Sequence, residues 1–275
     1  CQNAHLFVAA LAQMMSTKPY RKYYIICQDY AWGHDVANAF KSELKNYIPD
    51  AEIVGEDYHP IATKDFGPYI NKVIASKADA IFTGNWGADA INIVKQTREL
   101  GLKAPFPLVM THGVDPYIEN ESKEGTVGIH YAYAYSAQWN TPENKAMVAR
   151  YHEQHKNDKD FLTWWPVTHI GVVICAWQMT FAAIEKAGSL DPDKIVEAFE
   201  GMWFKTPVGW WHMRKCDHQA IIPMFGGEVK SGWNPFFNGS IRPDVSFPWL
   251  SSEVFRAPAT ESAIPPTPDY NPRCP

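Results

Sequence analysis

Three short stretches set an aromatic ring or an imidazole beside a glycine: Asp29-Tyr30-Ala31-Trp32-Gly33-His34-Asp35, Gly84-Asn85-Trp86-Gly87 and Thr111-His112-Gly113-Val114-Asp115. Glycine lets the backbone turn sharply, so the neighbouring ring can face outward at a chain reversal. An indole offers a broad apolar face and one donor, a neutral imidazole one donor and one acceptor, and Asp115 a carboxylate. Such a set can hold a small molecule without breaking bonds. Trp32 and Trp86 can equally pack as a cover for the elements beneath them, since large rings bury well. The spacing leaves both readings open.

Groups suited to bond-breaking chemistry are poorly placed by comparison. His152-Glu153-Gln154-His155 spaces its imidazoles three apart instead of the four that align two zinc ligands on a helix, and its charged flanks read as a solvated face. Cys216-Asp217-His218 puts a thiol near an imidazole, but nucleophile and base normally meet through the fold, not as chain neighbours. The nucleophile elbow GxSxG, the phosphate-loop lysine motif and the dinucleotide fingerprint GxGxxG are missing from the sequence. No enzyme activity, metal or cofactor is expected.

Composition narrows the classes further. The 275 residues are 46% apolar and carry a net charge of −5, which gives enough material for a packed core and argues against disorder. With 25 basic against 30 acidic residues, no positive field exists to offset phosphate, so nucleic acid is not an expected partner. The 11 Trp, 13 Tyr and 14 Phe supply rings for a core and for an aromatic-lined site alike. The apolar stretch Ile170 to Ile184 is interrupted by Gln178 and Thr180 and reads as a buried helix, too short to cross a membrane. The first residues lack the charged and apolar regions of a signal peptide, as expected of a sequence that begins after processing or in mid-protein. Cys27 and Cys175 sit in apolar runs as core residues, whereas Cys216 and Cys274 are free to pair in an oxidising compartment.

The elements that must position the three stretches alternate. Tyr23 to Cys27, Ala51 to Tyr58, Ala78 to Thr83 and Phe106 to Thr111 read as strands. Between them lie helical patterns: Val36, Phe40, Leu44 and Tyr47 on one, and Tyr69, Ile70, Val73 and Ile74 on a second that Asp65 can cap. A third carries Ile91, Val94 and Leu100 and is stopped by Gly101. This rhythm specifies an α/β fold, a Rossmann-like doubly wound parallel sheet. Ligands in such sheets bind beyond the carboxyl ends of the strands, which is where all three ring-and-glycine stretches fall. Thr126 to Ser136 reads as one extended aromatic segment, followed by helical stretches near 142–156, 165–187 and 191–201 with no strand between them. Strand-like residues return over 208–229, and the segment from Ser231 onward holds nine prolines and little periodicity.

Tyr23-Tyr24-Ile25-Ile26-Cys27-Gln28-Asp29-Tyr30-Ala31-Trp32-Gly33, Ala78 to Trp86, Thr97-Arg98-Glu99-Leu100-Gly101-Leu102 and the closing Asp217-His218-Gln219 resemble the type I periplasmic solute-binding proteins of ABC transporters. The resemblance is to the branched-chain amino acid (Leu/Ile/Val) binding branch, and it runs in order over about residues 1–229. It implies a two-lobed clamp of Rossmann-like lobes joined by crossing strands, with the N-terminal half-lobe absent from this chain. Residues 1–132 and 205–230 then form the second lobe, and 133–204 a crossing strand and helices of the incomplete first lobe. Residues 231–275 are a Pro-rich tail.

The resemblance also assigns roles. Aromatic residues after the first and third strands of this lobe pack on the ligand in the family, and Trp32 and Trp86 fall at those positions. His112 falls where an acidic residue usually receives an amino acid's ammonium, so a standard aliphatic amino acid is a poor fit unless Asp115 takes that role. Tyr30 and Asn85 complete the expected ligand-binding set. The implied function is capture of a small polar or aromatic organic solute outside the cytoplasm, at the periplasmic or extracellular face of a bacterial membrane, for delivery to an ABC permease. A separate N-terminal fragment is a possible partner completing the first lobe. The alternatives are a ligand-sensing domain of a receptor or regulator, and a subunit of an enzyme complex that reuses the fold.

Overall fold

The computed structural model describes residues 3–112, 116–158, 168–231 and 253–257. The chain divides into two compact units. The first comprises Phe7–Tyr133 and Phe225–Phe255, the second Cys1–Leu6, Ala134–Met224 and Arg256–Pro275.

In the first unit, β1 (Lys22–Gln28), β2 (Glu52–His59), β3 (Ala80–Thr83), β4 (Leu108–Met110) and β5 (Ile129–Tyr133) form parallel pairs in the order β2-β1-β3-β4-β5. β5 then pairs antiparallel with β9 (Met224–Glu228), and β10 (Glu253–Ala257) ends the seven-stranded sheet. β1 lies between two neighbours, which is why Tyr23 to Cys27 is an unbroken buried run. Edge strand β2 is mostly half-buried and carries exposed Glu52 and Glu56, charges that discourage further pairing.

Helices α2 (Ala31–Tyr47), α3 (Gly67–Ser76) and α4 (Gly87–Glu99) follow β1, β2 and β3, with α5 (Pro116–Ser122) after β4. α2 buries Val36, Ala37, Phe40 and Leu44, and Phe40 stacks on Phe82 with ring centroids 3.9 Å apart. Its first turn packs so closely on the end of β1 that a Cβ on Gly33 would lie 1.8 Å from the Gln28 carbonyl oxygen. Asp65 accepts from the Gly67 amide at 2.9 Å in a turn just before α3, but it is not the N-cap expected of it: Phe66 holds that position, without a side-chain cap bond.

Arg98 near the end of α4 is buried and donates to the carbonyl oxygens of Leu102, Phe106, Gly125 and Val127, at 2.8–3.1 Å. Burial lowers its pKa to about 10, which leaves the guanidinium charged at neutral pH.

α1 (Ala4–Met15) is an element the sequence pattern did not reveal. Leu6 to Ala12 are all at most 2% exposed, and a helix buried on every side shows no polar–apolar period. The extended reading of 126–136 narrows to β5, because Lys123–Thr126 is a short 3₁₀ turn.

The second unit contains α6 (Pro142–His155), α7 (Thr168–Ala187), α8 (Pro192–Phe199) and a three-stranded antiparallel sheet of β6 (Trp203–Thr206), β7 (Gly209–Met213) and β8 (Ala220–Ile221). Thr141 and Asp191 cap α6 and α8 with their side-chain oxygens. Gly171 admits the Tyr135 ring against α7, where an added Cβ would meet that ring at 2.1 Å. Because β6, β7 and β8 pair with one another, residues 203–221 stay in this unit, and the return to the first unit falls at Phe225 rather than at 205.

α7 departs from the buried helix expected there. Cys175, Met179 and Ala183 are buried, but Val173, Trp177 and Phe181 on the other side are each more than half exposed. At 20 residues it is longer than its apolar core suggested, and His169–Ala187 is long and apolar enough to cross a membrane by length and composition. The apolar pattern gave its helicity correctly but could not tell which sides have a partner.

Candidate functional site

In the order β2-β1-β3-β4-β5 the sheet grows one way from β1 to β2 and the other way to β3. The helices after β1 and β3 therefore leave a crevice at the carboxyl ends of these two strands, where open sheets bind ligands. Tyr30 is the N-cap of α2 and Trp86 the N-cap of α4, so both rings stand at helix starts on this edge.

Trp32 reaches across the crevice. Its indole nitrogen donates to the Gly84 carbonyl oxygen at 3.0 Å, which ties the start of α2 to the end of β3. Its ring meets His112 edge-on, with centroids 5.5 Å apart. Phe7 from α1 closes the group, 5.9 Å from Trp32 and 5.2 Å from His112, and Tyr133 stands 6.1 Å from the imidazole. Phe7 and Tyr133 are buried whereas Trp32 and His112 are half-buried, so the cluster has a packed back and an open front. The Thr111 hydroxyl and His112 Nδ1 face each other at 3.0 Å. On the same edge Trp86, 47% exposed, donates from its indole nitrogen to the Tyr30 hydroxyl oxygen at 2.7 Å.

The structure thus brings Trp32 to His112 and Trp86 to Tyr30 along one edge. It places Asn85 below that edge: the side chain is fully buried and its oxygen lies 3.1 Å from His59 Nε2. His59 Nδ1 lies 2.9 Å from the Pro60 carbonyl oxygen, which can only accept, and the Thr63 hydroxyl gives its proton to that same oxygen. Nδ1 therefore carries a proton and donates to Pro60, while the Asn85 carboxamide stands against the other ring nitrogen. Gln28 Nε2 donates to Asp89 at 2.6 Å and the Ala62 amide donates to the same carboxylate oxygen at 3.0 Å, which ties α4 to the ends of β1 and β2. Asn85 thus lies buried beside His59, at the residue before Trp86. Asp115 lies outside the described residues.

Phe7 and Tyr133 escaped the sequence reading. Tyr133 belongs to the alternating Tyr131, Tyr133, Tyr135 series and was readable as a strand residue facing the same side as its neighbours two away. Phe7 sits in the helix without a period. Cys27 lies under the edge, where burial pushes its thiol up to about 12 and leaves it unreactive, against the opposing pull of the Gly84 amide, which donates to its sulfur at 3.3 Å.

The other constellations behave differently from their sequence appearance. His152 is on the buried side of α6 rather than solvated, and burial lowers its pKa, while His155 pairs with Asp158 at 2.7 Å. Asp217 pairs with Arg214 and His218 with Glu200, while Cys216 is disulfide-bonded, so this trio forms no nucleophile–base pair. Among the described residues no three His, Cys, Asp or Glu side chains gather as a metal site.

A family model described as periplasmic binding protein matches residues 2–234. Leu/Ile/Val-binding protein homolog 4 of Brucella melitensis is 28% identical over 235 residues, 82% of this chain and 54% of the relative. The chain thus spans about half the length of the curated relatives it matches. Among solved structures, the closed leucine-, isoleucine-, valine-, threonine- and alanine-binding protein of Brucella ovis superposes with a TM-score of 0.80 at 26% identity, covering 96% of this chain and 65% of that one. A solute-binding protein of an ABC transporter from Rhodopseudomonas palustris, solved with p-hydroxybenzoic acid, gives 0.74 at 25% identity, covering 93% and 66%. With a match that runs through both units and a parallel sheet of the order seen here, the chain belongs to the type I periplasmic binding proteins of the branched-chain amino acid family.

Proposed function

We propose that this protein is the solute-binding component of an ABC transporter, acting outside the cytoplasm, and that it captures a small aromatic or polar organic solute. The observation that carries the reading is the contact of Trp32 with His112, backed by Phe7, at the crevice between β1 and β3. Rings of this kind supply a flat apolar wall with few polar anchors, the usual anatomy of a small-molecule site. An imidazole carries no fixed negative charge, so an ammonium group finds less stabilisation here than a neutral or anionic ring does. The R. palustris protein solved with p-hydroxybenzoic acid makes an aromatic acid a natural first ligand to try. The disulfide at Cys216 suits an oxidising compartment.

In this reading the unit built on the parallel sheet is the second lobe of the clamp, and the unit of α6, α7 and α8 is part of the first. The exposed Val173, Trp177 and Phe181 face of α7 supports completion of that first lobe by further polypeptide, and intact mass of the purified material would reveal an accompanying fragment. The permease is the membrane partner that the reading requires. Calorimetric titration of the protein with 4-hydroxybenzoate and with leucine tests the core of it. Saturable binding of the aromatic acid without turnover supports solute capture. Product formation, or no response to either compound, overturns it.

A further inference from the structure

Hydrogen-bonding capacity along the crevice is unevenly occupied. An indole has one donor and no acceptor. Trp32 directs that donor to the Gly84 carbonyl oxygen and Trp86 directs its own to the Tyr30 hydroxyl oxygen. Neither ring has a polar group left for a solute. Tyr30 is in the opposite state. Its oxygen accepts the Trp86 proton at 2.7 Å, but its own O–H finds no acceptor among the described residues, and the side chain is only half-buried. A hydroxyl that already accepts a hydrogen bond is polarised into a better donor. It also loses rotational freedom, because the bond from Trp86 fixes where the remaining proton can point. Tyr30 and Trp86 are moreover the N-caps of α2 and α4, and neither helix start has a side-chain cap, so the positive ends of two helices lie on this edge of the sheet.

From this geometry we infer that Tyr30 is a specificity-determining residue: its O–H, aimed by Trp86, donates to a carboxylate oxygen of an aromatic acid whose ring lies against Trp32. The inference rests on the solute-capture reading and assigns a chemical class to its ligand. Trp86 is then a positioning residue that acts through Tyr30. An ammonium brought to the same point meets an O–H donor on an edge that carries two helix N-termini, so the crevice favours acids over amines.

The test uses the full chain, with benzoate and benzylamine as probes of the same ring with opposite polar groups, read by calorimetry. The wild-type protein is expected to bind benzoate and to bind benzylamine much more weakly. Tyr30→Phe removes only the hydroxyl and is expected to weaken benzoate about 10- to 100-fold, the range of a hydrogen bond to a charged group. Benzylamine binding is expected to stay unchanged in that variant. Trp86→Phe keeps a ring but not the aiming N–H and is expected to lose a smaller part of the benzoate affinity. Wild-type benzoate affinity in Tyr30→Phe, with the thermal midpoint preserved, overturns the role of Tyr30 while leaving solute capture standing. Failure of the wild-type protein to bind benzoate, 4-hydroxybenzoate and leucine alike overturns both, whereas binding of leucine alone overturns the role of Tyr30 and leaves solute capture standing.

Discussion

The indole nitrogen of Trp32 donates to the carbonyl oxygen of Gly84 at 3.0 Å, so a ring planted after the first strand is pinned to the end of the third. One bond therefore serves both the packing of the edge and the placement of its aromatic wall. The two roles separate by substitution. Trp32→Phe keeps a ring beside His112 but loses the bond to Gly84, at an expected stability cost of about 1 kcal/mol. Trp32→Ala removes the wall and is expected to weaken aromatic-acid binding about 30-fold or more, the scale of a buried aromatic anchor. Urea unfolding and calorimetric titration of the two variants read these effects independently.

Gly33 makes a sharper demand, because its missing side chain is what lets α2 approach β1. A Cβ there would sit 1.8 Å from the Gln28 carbonyl oxygen, and the three nearest atoms are all Gln28 backbone, which cannot yield as a flexible side chain would. Gly33→Ala is expected to destabilise the protein by about 3 kcal/mol. It is also expected to reduce solute affinity, since Trp32 is the adjoining residue and moves with the helix start. A thermal midpoint equal to that of the wild type would refute the close approach.

How much of this was legible in the sequence depends on contrast. β1, β3, α2 and α4 stood out because buried strands read as apolar runs and half-buried helices as stripes, and the ring-and-glycine stretches followed directly from where those elements end. α1 was invisible for the opposite reason, since a helix surrounded by protein has no polar side to mark its period, and with it Phe7 was lost from the site. Trp32 and His112 could be placed on one edge by topology alone, but the bond from Trp86 to Tyr30 could not, because hydrogen bonds between loop residues 56 positions apart leave no trace in spacing. The same limit applies to α7, whose apolar residues announced burial without saying which of them have a partner.

Arg98 holds together a stretch of chain that has little regular structure of its own. It donates to four carbonyl oxygens contributed by Leu102, Phe106, Gly125 and Val127, groups that would otherwise be without donors in a buried place. A lysine carries the charge but lacks the planar fork that reaches several acceptors at once. Arg98→Lys is expected to cost about 2 kcal/mol and Arg98→Ala about 3 kcal/mol or more, through lost bonds and stranded carbonyls. Hydrogen exchange should localise the loosening to 102–107 and 124–128. Uniform protection in those segments in Arg98→Ala would sink this account.

His130 gives the protein a defined response to acid. It faces Glu228 across the β5–β9 pair, with Lys18, Lys230 and the Tyr20 ring nearby, and its Nδ1 has no hydrogen-bond partner among the described residues. Burial lowers its pKa to about 4, with Glu228 opposing and the two lysines reinforcing the shift. Glu228, although burial raises it, is held below the usual carboxylate range by Lys18 and His130. Between the ordinary histidine value of 6.5 and about 4, the unfolded chain binds a proton at this position that the folded chain does not. Stability is therefore full above 6.5 and declines as pH falls toward 4, by an amount on the order of 3 kcal/mol. Below that window protonation of Glu228 removes more. His130→Gln keeps a polar side chain that does not titrate, so its stability should stay nearly flat from pH 6.5 to 4.5 while that of the wild type falls. Parallel curves for the two proteins in denaturant titrations across this range would show that the acid response originates elsewhere.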